Sequence, residues 1–296
     1  MILVMSLILV VLLALLEQGS AILLPPPGPN THGYKVAVSH FPLTDVAHKD
    51  PHNQAENRRI MVSTFIPVNK TSCTNECEIP YMPPQTARIA GEQFLLNAPK
   101  GVFEMMGYNV CCGTSKDTDA SKYPVVVLEP HVDTSRLLYT NMARYMSANG
   151  VAVILLDHPG DSSIVEFPQS DKSSPSTIYN SGTVPLSNFS PLTSWNDTIT
   201  SAITTRIQDI NFALTQLTSL PLLKQQFPSL RLTSALNTTS YGIVGHGLGG
   251  TVATSLSFSN PKGILFSINL SGTPPPPPPP PHPHLLLRPQ RLSPLK

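Results

Sequence analysis

Charge is scarce in this chain. Of its 296 residues only 12% are Asp, Glu, Lys or Arg, and the formal net charge is +1. A nucleic-acid partner requires clustered lysine and arginine, so that class has no footprint here. Cysteine is sparse too: Cys73, Cys77, Cys111 and Cys112. They lack C-x-x-C spacing and a neighbouring histidine, which argues against a metal site and leaves none to propose. The first sixteen residues carry no Lys or Arg. Proline is the exception to scarcity, with 32 residues, but Pro274 to Pro281 form one run and describe a tail rather than a domain.

What is present points to a secretory route. Residues 2–16, ILVMSLILVVLLALL, are apolar except for Ser6, and small residues follow at Gly19 and Ala21. That length is short for a bilayer span and suits a cleaved signal peptide over 1–21, against a retained anchor helix. Sequons occur at Asn69, Asn188, Asn196, Asn237 and Asn269, the last of which is expected on a buried strand. An even cysteine count in an oxidising compartment suggests two disulfides between the 73/77 pair and the vicinal 111/112 pair. Their connectivity stays open. The expected location is extracellular.

Residues 22–33 form a proline-rich, extended leader, and a chain of this length accommodates one large domain, expected over 34–273. Lys35 to Phe41 and Arg58 to Pro67 have strand composition and predict an antiparallel pair at a sheet edge. The cysteine-bearing segment with Tyr81-Met82-Pro83-Pro84 reads as irregular. Tyr123 to Leu128 and Val151 to Leu156 are continuous apolar runs suited to strands buried on both faces. Between them Leu137 to Ser147 predicts a helix with Leu138, Met142, Tyr145 and Met146 on one side, stopped by Gly150. A loop follows from about Asp161 to Ser194. Ile203, Ile207, Ile210, Leu214 and Leu217 then recur at helical spacing. Strands at Tyr241 to Val244 and Ile264 to Leu270 complete an α/β pattern with a mostly parallel, doubly wound sheet. The Asp157-His158-Pro159-Gly160 turn falls at a strand's C-terminal end, where such sheets place their ligand crevice.

Residues 241–250, YGIVGHGLGG, are a strand, a tight turn and a helix start. That is the setting of the nucleophile elbow G-x-S-x-G, with Gly245, His246 and Gly249 around its centre. The centre is Gly247, where the chemistry needs a hydroxyl.

Several blocks in order resemble the platelet-activating-factor acetylhydrolases, especially their secreted fungal relatives, which are α/β-hydrolases. The carriers are Arg58 to Val68, Pro80 to Pro84, Ser135 to Tyr139, Leu156 to Asp161, Val165 to Pro168, Arg206 to Ile210, the elbow, and Ile268 to Thr273. The resemblance implies an esterase that removes a short sn-2 acyl group from a phospholipid without metal or organic cofactor. Its serine attacks, a histidine takes the proton, an acid orients the histidine, and backbone amides hold the oxyanion. It also implies contact with a lipid surface or lipoprotein-like particle.

Mapped residue by residue, the pattern is broken. The nucleophile falls on Gly247. The acid, expected in an N-L-D-G-like segment, falls on Ser271. The oxyanion donors would be the amides of Leu248 and Val132, but side chains at His131 and Val132 should crowd that loop. After Thr273 the family pattern stops at the proline-rich tail, 274–296, so the C-terminal part of the fold and its triad histidine are expected to be missing. A gene-model artefact explains that tail better than a selected SH3- or WW-type ligand, and no protein partner is inferable. Blander readings cover the rest: His246 packs beside the elbow, His131 and Asp133 lie on a solvated loop, Asp157 and His158 hold a turn. Arg206 and Asp209 pair one turn apart, and Ser255 and Ser257 sit too far along the helix to attack. The expectation is an esterase-family chain that is catalytically silent. A lipid-binding pseudo-hydrolase and a non-functional truncated product remain the alternatives.

Overall fold

The computed structural model describes residues 22–27, 33–95, 100–168, 176–180 and 197–273. The expected signal segment, the tail, Asn188, Asn196 and part of the leader lie outside the described residues.

Strand β1 is Ile22–Leu23, β2 is Tyr34–Lys49 and β3 is Asn57–Asn69. The last two pair antiparallel from Tyr34↔Asn69 to Lys49↔Asn57, so the expected hairpin is present and longer than its apolar stretches. β4 is Cys73–Pro80, helix α1 is Pro84–Phe94 and β5 is Met106–Thr114. β6 is Thr118–Asp119, β7 is Val125–Glu129, α2 is Thr140–Ala148 and β8 is Ala152–Asp157. β9 (Ile164–Glu166) and β10 (Thr177–Tyr179) form a small antiparallel pair inside the segment expected to be loop. Then come α3 (Asp197–Gln216), α4 (Leu220–Gln226), β11 (Leu232–Ser234), β12 (Tyr241–His246), α5 (Leu248–Ser259) and β13 (Ile264–Leu270).

The main sheet has the order β13-β12-β7-β8-β3-β2. Its first four strands run parallel, while β3 and β2 are antiparallel. The apolar runs of β7 and β8 split by alternation, as the pleat requires. Val125, Val127, Ile154 and Leu156 join a core with α3 and α5 residues such as Ile210 and Val252. Val126, Leu128, Val153 and Leu155 face the other way, toward Ala143 of α2. Burial on both faces is why neither strand shows polar alternation.

The cysteine segment is not irregular. β4 pairs antiparallel with β5, and β1 adds in parallel to give a second, three-stranded sheet. Cys73–Cys111 and Cys77–Cys112 bridge it, joining each member of the first pair to one of the second. Sequence patterning missed this sheet because the disulfides, rather than a long apolar run, tie its strands together. β1 lies in the expected leader, so the leader's start is docked.

α2 also differs from expectation. Met142 and Tyr145 are exposed, and the buried face is Thr140, Ala143, Arg144 and Ser147. Arg144 turns inward because its guanidinium lies 4.7 Å over the Tyr108 ring and donates to Asn141 and the Pro25 carbonyl. β13 is an edge strand with Leu265, Phe266, Ile268 and Leu270 exposed. Asn269 is therefore exposed, contrary to the buried strand expected.

Candidate active site

The elbow is built by β12, which delivers Gly245 and His246 to the start of α5. Gly247 caps that helix at φ 55 and ψ −121, the left-handed φ a strand-to-helix nucleophile turn needs. Close packing dictates the flanking glycines: a Cβ on Gly245 would stand 2.0 Å from the Gly249 carbonyl oxygen, and one on Gly249 would stand 2.4 Å from that of Glu129. The sequence therefore keeps the scaffold of an elbow without its hydroxyl.

An imidazole stands against Gly247. A Cβ at Gly247 would lie 2.2 Å from Nδ1 of His131, so no larger residue fits while His131 keeps its position. His131 Nδ1 accepts the Leu248 backbone N–H at 3.2 Å. The donor expected for an oxyanion is thus engaged by a side chain of the same molecule. His131 does not lie on a solvated loop; it is half-buried against Gly247 at the strand-to-helix turn. Val132, by contrast, does not crowd the site: its side chain is fully buried in the core.

A second ring holds the first. His131 and His246 meet edge to face with centroids 5.3 Å apart. The Tyr139 hydroxyl accepts the His131 backbone N–H at 3.0 Å and shares a 2.8 Å hydrogen bond with His246 Nδ1. Burial, then the neighbouring His246 and Arg206, lower the His131 pKa to about 4, with Asp133 and Asp161 opposing. His246 packs beside the turn against the His131 and Tyr139 rings. Tyr139 closes the Ser135 to Tyr139 block without a role of its own in the sequence reading; its position immediately before the helix of a βαβ unit gives no local signal.

Ser271, at the acid position, follows β13 at φ 66. The β12–β13 register sets His246 opposite Leu270, and Gly247 N–H donates to the Leu270 carbonyl at 2.8 Å. Ser271 thus stands beside the elbow, and it brings no carboxylate. Asp133 is not solvated either: its carboxylate accepts from Gln93 and Asn180.

Beneath the elbow runs a buried chain of charges. His158 places Nδ1 2.8 Å from Asp209 Oδ2 and Nε2 3.0 Å from Glu129 Oε2. Two carboxylates facing two ring nitrogens require both nitrogens to be protonated. Burial opposes that charge, but the Glu129 charge and the hydrogen bonds His158 donates to both carboxylates overcome it and raise the pKa to about 9. Asp209 takes a two-pronged contact from Arg58, at 3.1 and 2.7 Å. Arg206 does the same to Asp161, at 2.7 and 2.9 Å, and reaches the Pro130 carbonyl at 2.7 Å. Arg206 and Asp209 are therefore structural, but each binds other partners, because the sheet and crevice loops outcompete the helix surface. Asp157, likewise, is more than a turn residue: Arg136 holds it through both backbone and guanidinium.

A family model for platelet-activating factor acetylhydrolase, isoform II, matches residues 52–268. The chain belongs to the platelet-activating factor acetylhydrolase family. A curated protein of Arthroderma benhamiae, described as a probable 1-alkyl-2-acetylglycerophosphocholine esterase, is 31% identical over 269 residues. That match takes in 86% of this chain, and the chain spans 59% of the relative's length. A ferulic acid esterase from Streptomyces cinnamoneus is similar in structure, with a TM-score of 0.57 at 20% identity. The superposition covers 86% of this acetylhydrolase-family chain and 64% of that enzyme, and supports the α/β-hydrolase fold.

Proposed function

We propose that this chain is a non-hydrolytic member of the platelet-activating factor acetylhydrolase family, in which an imidazole replaces the nucleophile. The observation that carries the reading is the position of His131, whose ring fills the space beside Gly247 and accepts the Leu248 amide. An acyl ester entering the elbow meets no hydroxyl and no vacant oxyanion donor at Leu248. Nor does His131 substitute as nucleophile, because the lone pair on Nδ1 is already engaged by that amide. Ser271 supplies no charge to stabilise an imidazolium.

Phospholipid esters are the substrate class the family suggests, and lipid breakdown is the setting it implies. Secretion is supported by the apolar segment 2–16, by four cysteines joined in two disulfides, and by exposed sequons. At Asn69 and Asn237 the side-chain oxygen accepts from Thr71 and Thr239 respectively, leaving the amide nitrogen exposed.

The test is hydrolysis of a short sn-2 acyl phospholipid by purified chain. Acid release at the buffer rate supports the reading. Turnover abolished by a covalent serine-directed inhibitor overturns it.

A further inference from the structure

A cavity of about 520 Å³ lies where α1, β3 and the β9 strand meet, and no elbow residue lines it. That volume is in the range of small-molecule sites. Its walls are apolar and include Met61, Ile79, Tyr81, Met82, Leu137 and Phe167. Two buried charged residues also reach it, Arg136 and Glu166.

Both have hydrogen-bonding capacity left over. Arg136 uses its backbone N–H and Nη1 on Asp157, and Nε on Ser63 Oγ at 2.7 Å. Its Nη2 has no acceptor among the described residues. Glu166 Oε2 accepts from Thr86 N and Oγ1 at 3.0 and 3.2 Å, while Oε1 has no donor among the described residues. From its two charged residues the cavity therefore offers one donor and one acceptor, with the Ser39 hydroxyl as a further small polar group on otherwise apolar walls. His40 also lines it, but both ring nitrogens are taken by Ser63 and Tyr108, and burial with Arg136 nearby keeps it neutral.

Charge narrows the class of ligand. Asp157 neutralises Arg136, which leaves Glu166 as an unbalanced negative charge and disfavours a carboxylate ligand. A primary ammonium would meet Glu166 but waste the Arg136 donor and face a guanidinium. We propose that this cavity binds an uncharged single-chain amphiphile, whose chain lies along the apolar walls. Its carbonyl accepts from Arg136 Nη2, and its hydroxyl donates to Glu166 Oε1. The proposal goes beyond the elbow reading and holds whether or not the elbow hydrolyses esters.

The experiment is calorimetric titration of the full chain with 1-decanoylglycerol below its aggregation concentration, beside decanoate and decylamine. One saturable site for the monoglyceride is expected, with both charged probes at least tenfold weaker. Ile79→Trp, which fills the cavity from a half-buried wall position, should weaken binding at least tenfold with an unchanged melting temperature. If that variant does not fold, Glu166→Gln gives the second reading, with the same direction of loss. No saturable binding, tighter binding of either charged probe, or affinity unmoved in both variants overturns the proposal. Hydrolysis at the elbow would be detected separately as acid release and leaves this outcome unaffected.

Discussion

His131 and Gly247 are a complementary pair: the ring of one occupies the volume that any side chain on the other would need, with 2.2 Å from a Gly247 Cβ to Nδ1. Restoring a serine therefore cannot be a one-residue repair. Gly247→Ser should overpack the elbow and lower stability by about 1–3 kcal/mol, the usual cost of inserting atoms into a filled site. Gly247→Ser with His131→Gly should recover most of that loss. Urea unfolding midpoints of the two variants check the coupling; a single variant as stable as the parent would contradict it.

The His158 network predicts a pH dependence with a definite sign. The folded-state pKa, about 9, lies above the ordinary value of 6.5. The folded protein therefore holds a proton that the unfolded chain releases. This contribution is fully present below pH 6.5 and is lost as pH rises through 9. Unfolding midpoints should fall between pH 7 and 10, and His158→Gln should flatten that slope while lowering stability at pH 6.

Arg206 sits fully buried against Asp161, Glu129 and the Pro130 carbonyl. Arg206→Met removes the cation and strands two buried carboxylates, a loss of about 3–5 kcal/mol. Asp161→Asn with Arg206→Met should be less harmful than the single change, which a double-mutant cycle on thermal melts would show.

The two disulfides close loops with sequence separations of 38 and 35 residues. Loops of that size typically gain about 3–4 kcal/mol per bridge from restricting the unfolded chain. Reduction under native conditions should lower the melting temperature and release amide-exchange protection first in β4 and β5. Uniform loss across the main sheet would contradict that local assignment.

Glycan occupancy should distinguish the sequons by their partners. Asn69 and Asn237 are exposed on the chain surface, whereas the Asn269 amide donates to Thr254 Oγ1 and to the Gly272 carbonyl. Mass spectrometry of protein expressed through a secretory pathway should find glycans at the first two and none at Asn269.

The parallel strands are legible in the sequence because burial on both faces leaves unbroken apolar runs, as in 125–128 and 152–156. The elbow is legible because its glycines are fixed by backbone contact. What the sequence hides is partnership at long range. Glu129 ends an apolar strand and Arg58 opens another, yet nothing local says that they meet through His158 and Asp209. The same holds for His131, which is 116 positions before Gly247 and looks like an ordinary loop residue until the fold brings the two together. The β4–β5 sheet is hidden for a different reason: β4 is mostly exposed, and the buried residues of β5, Tyr108, Val110 and Cys111, are too few and too interrupted to make an apolar run.

The central claim of the proposed function is that the His131 ring fills the space beside Gly247, where a nucleophile would stand, and takes the Leu248 amide through Nδ1. Long-range nitrogen–proton NMR on nitrogen-15-labelled histidine reads this directly. The account predicts a single tautomer for His131, protonated at Nε2 with Nδ1 bare, that persists on acidification until its lowered pKa of about 4 is approached. Exchange between tautomers, with ordinary titration near 6.5, would show a free ring outside that space and contradict the account.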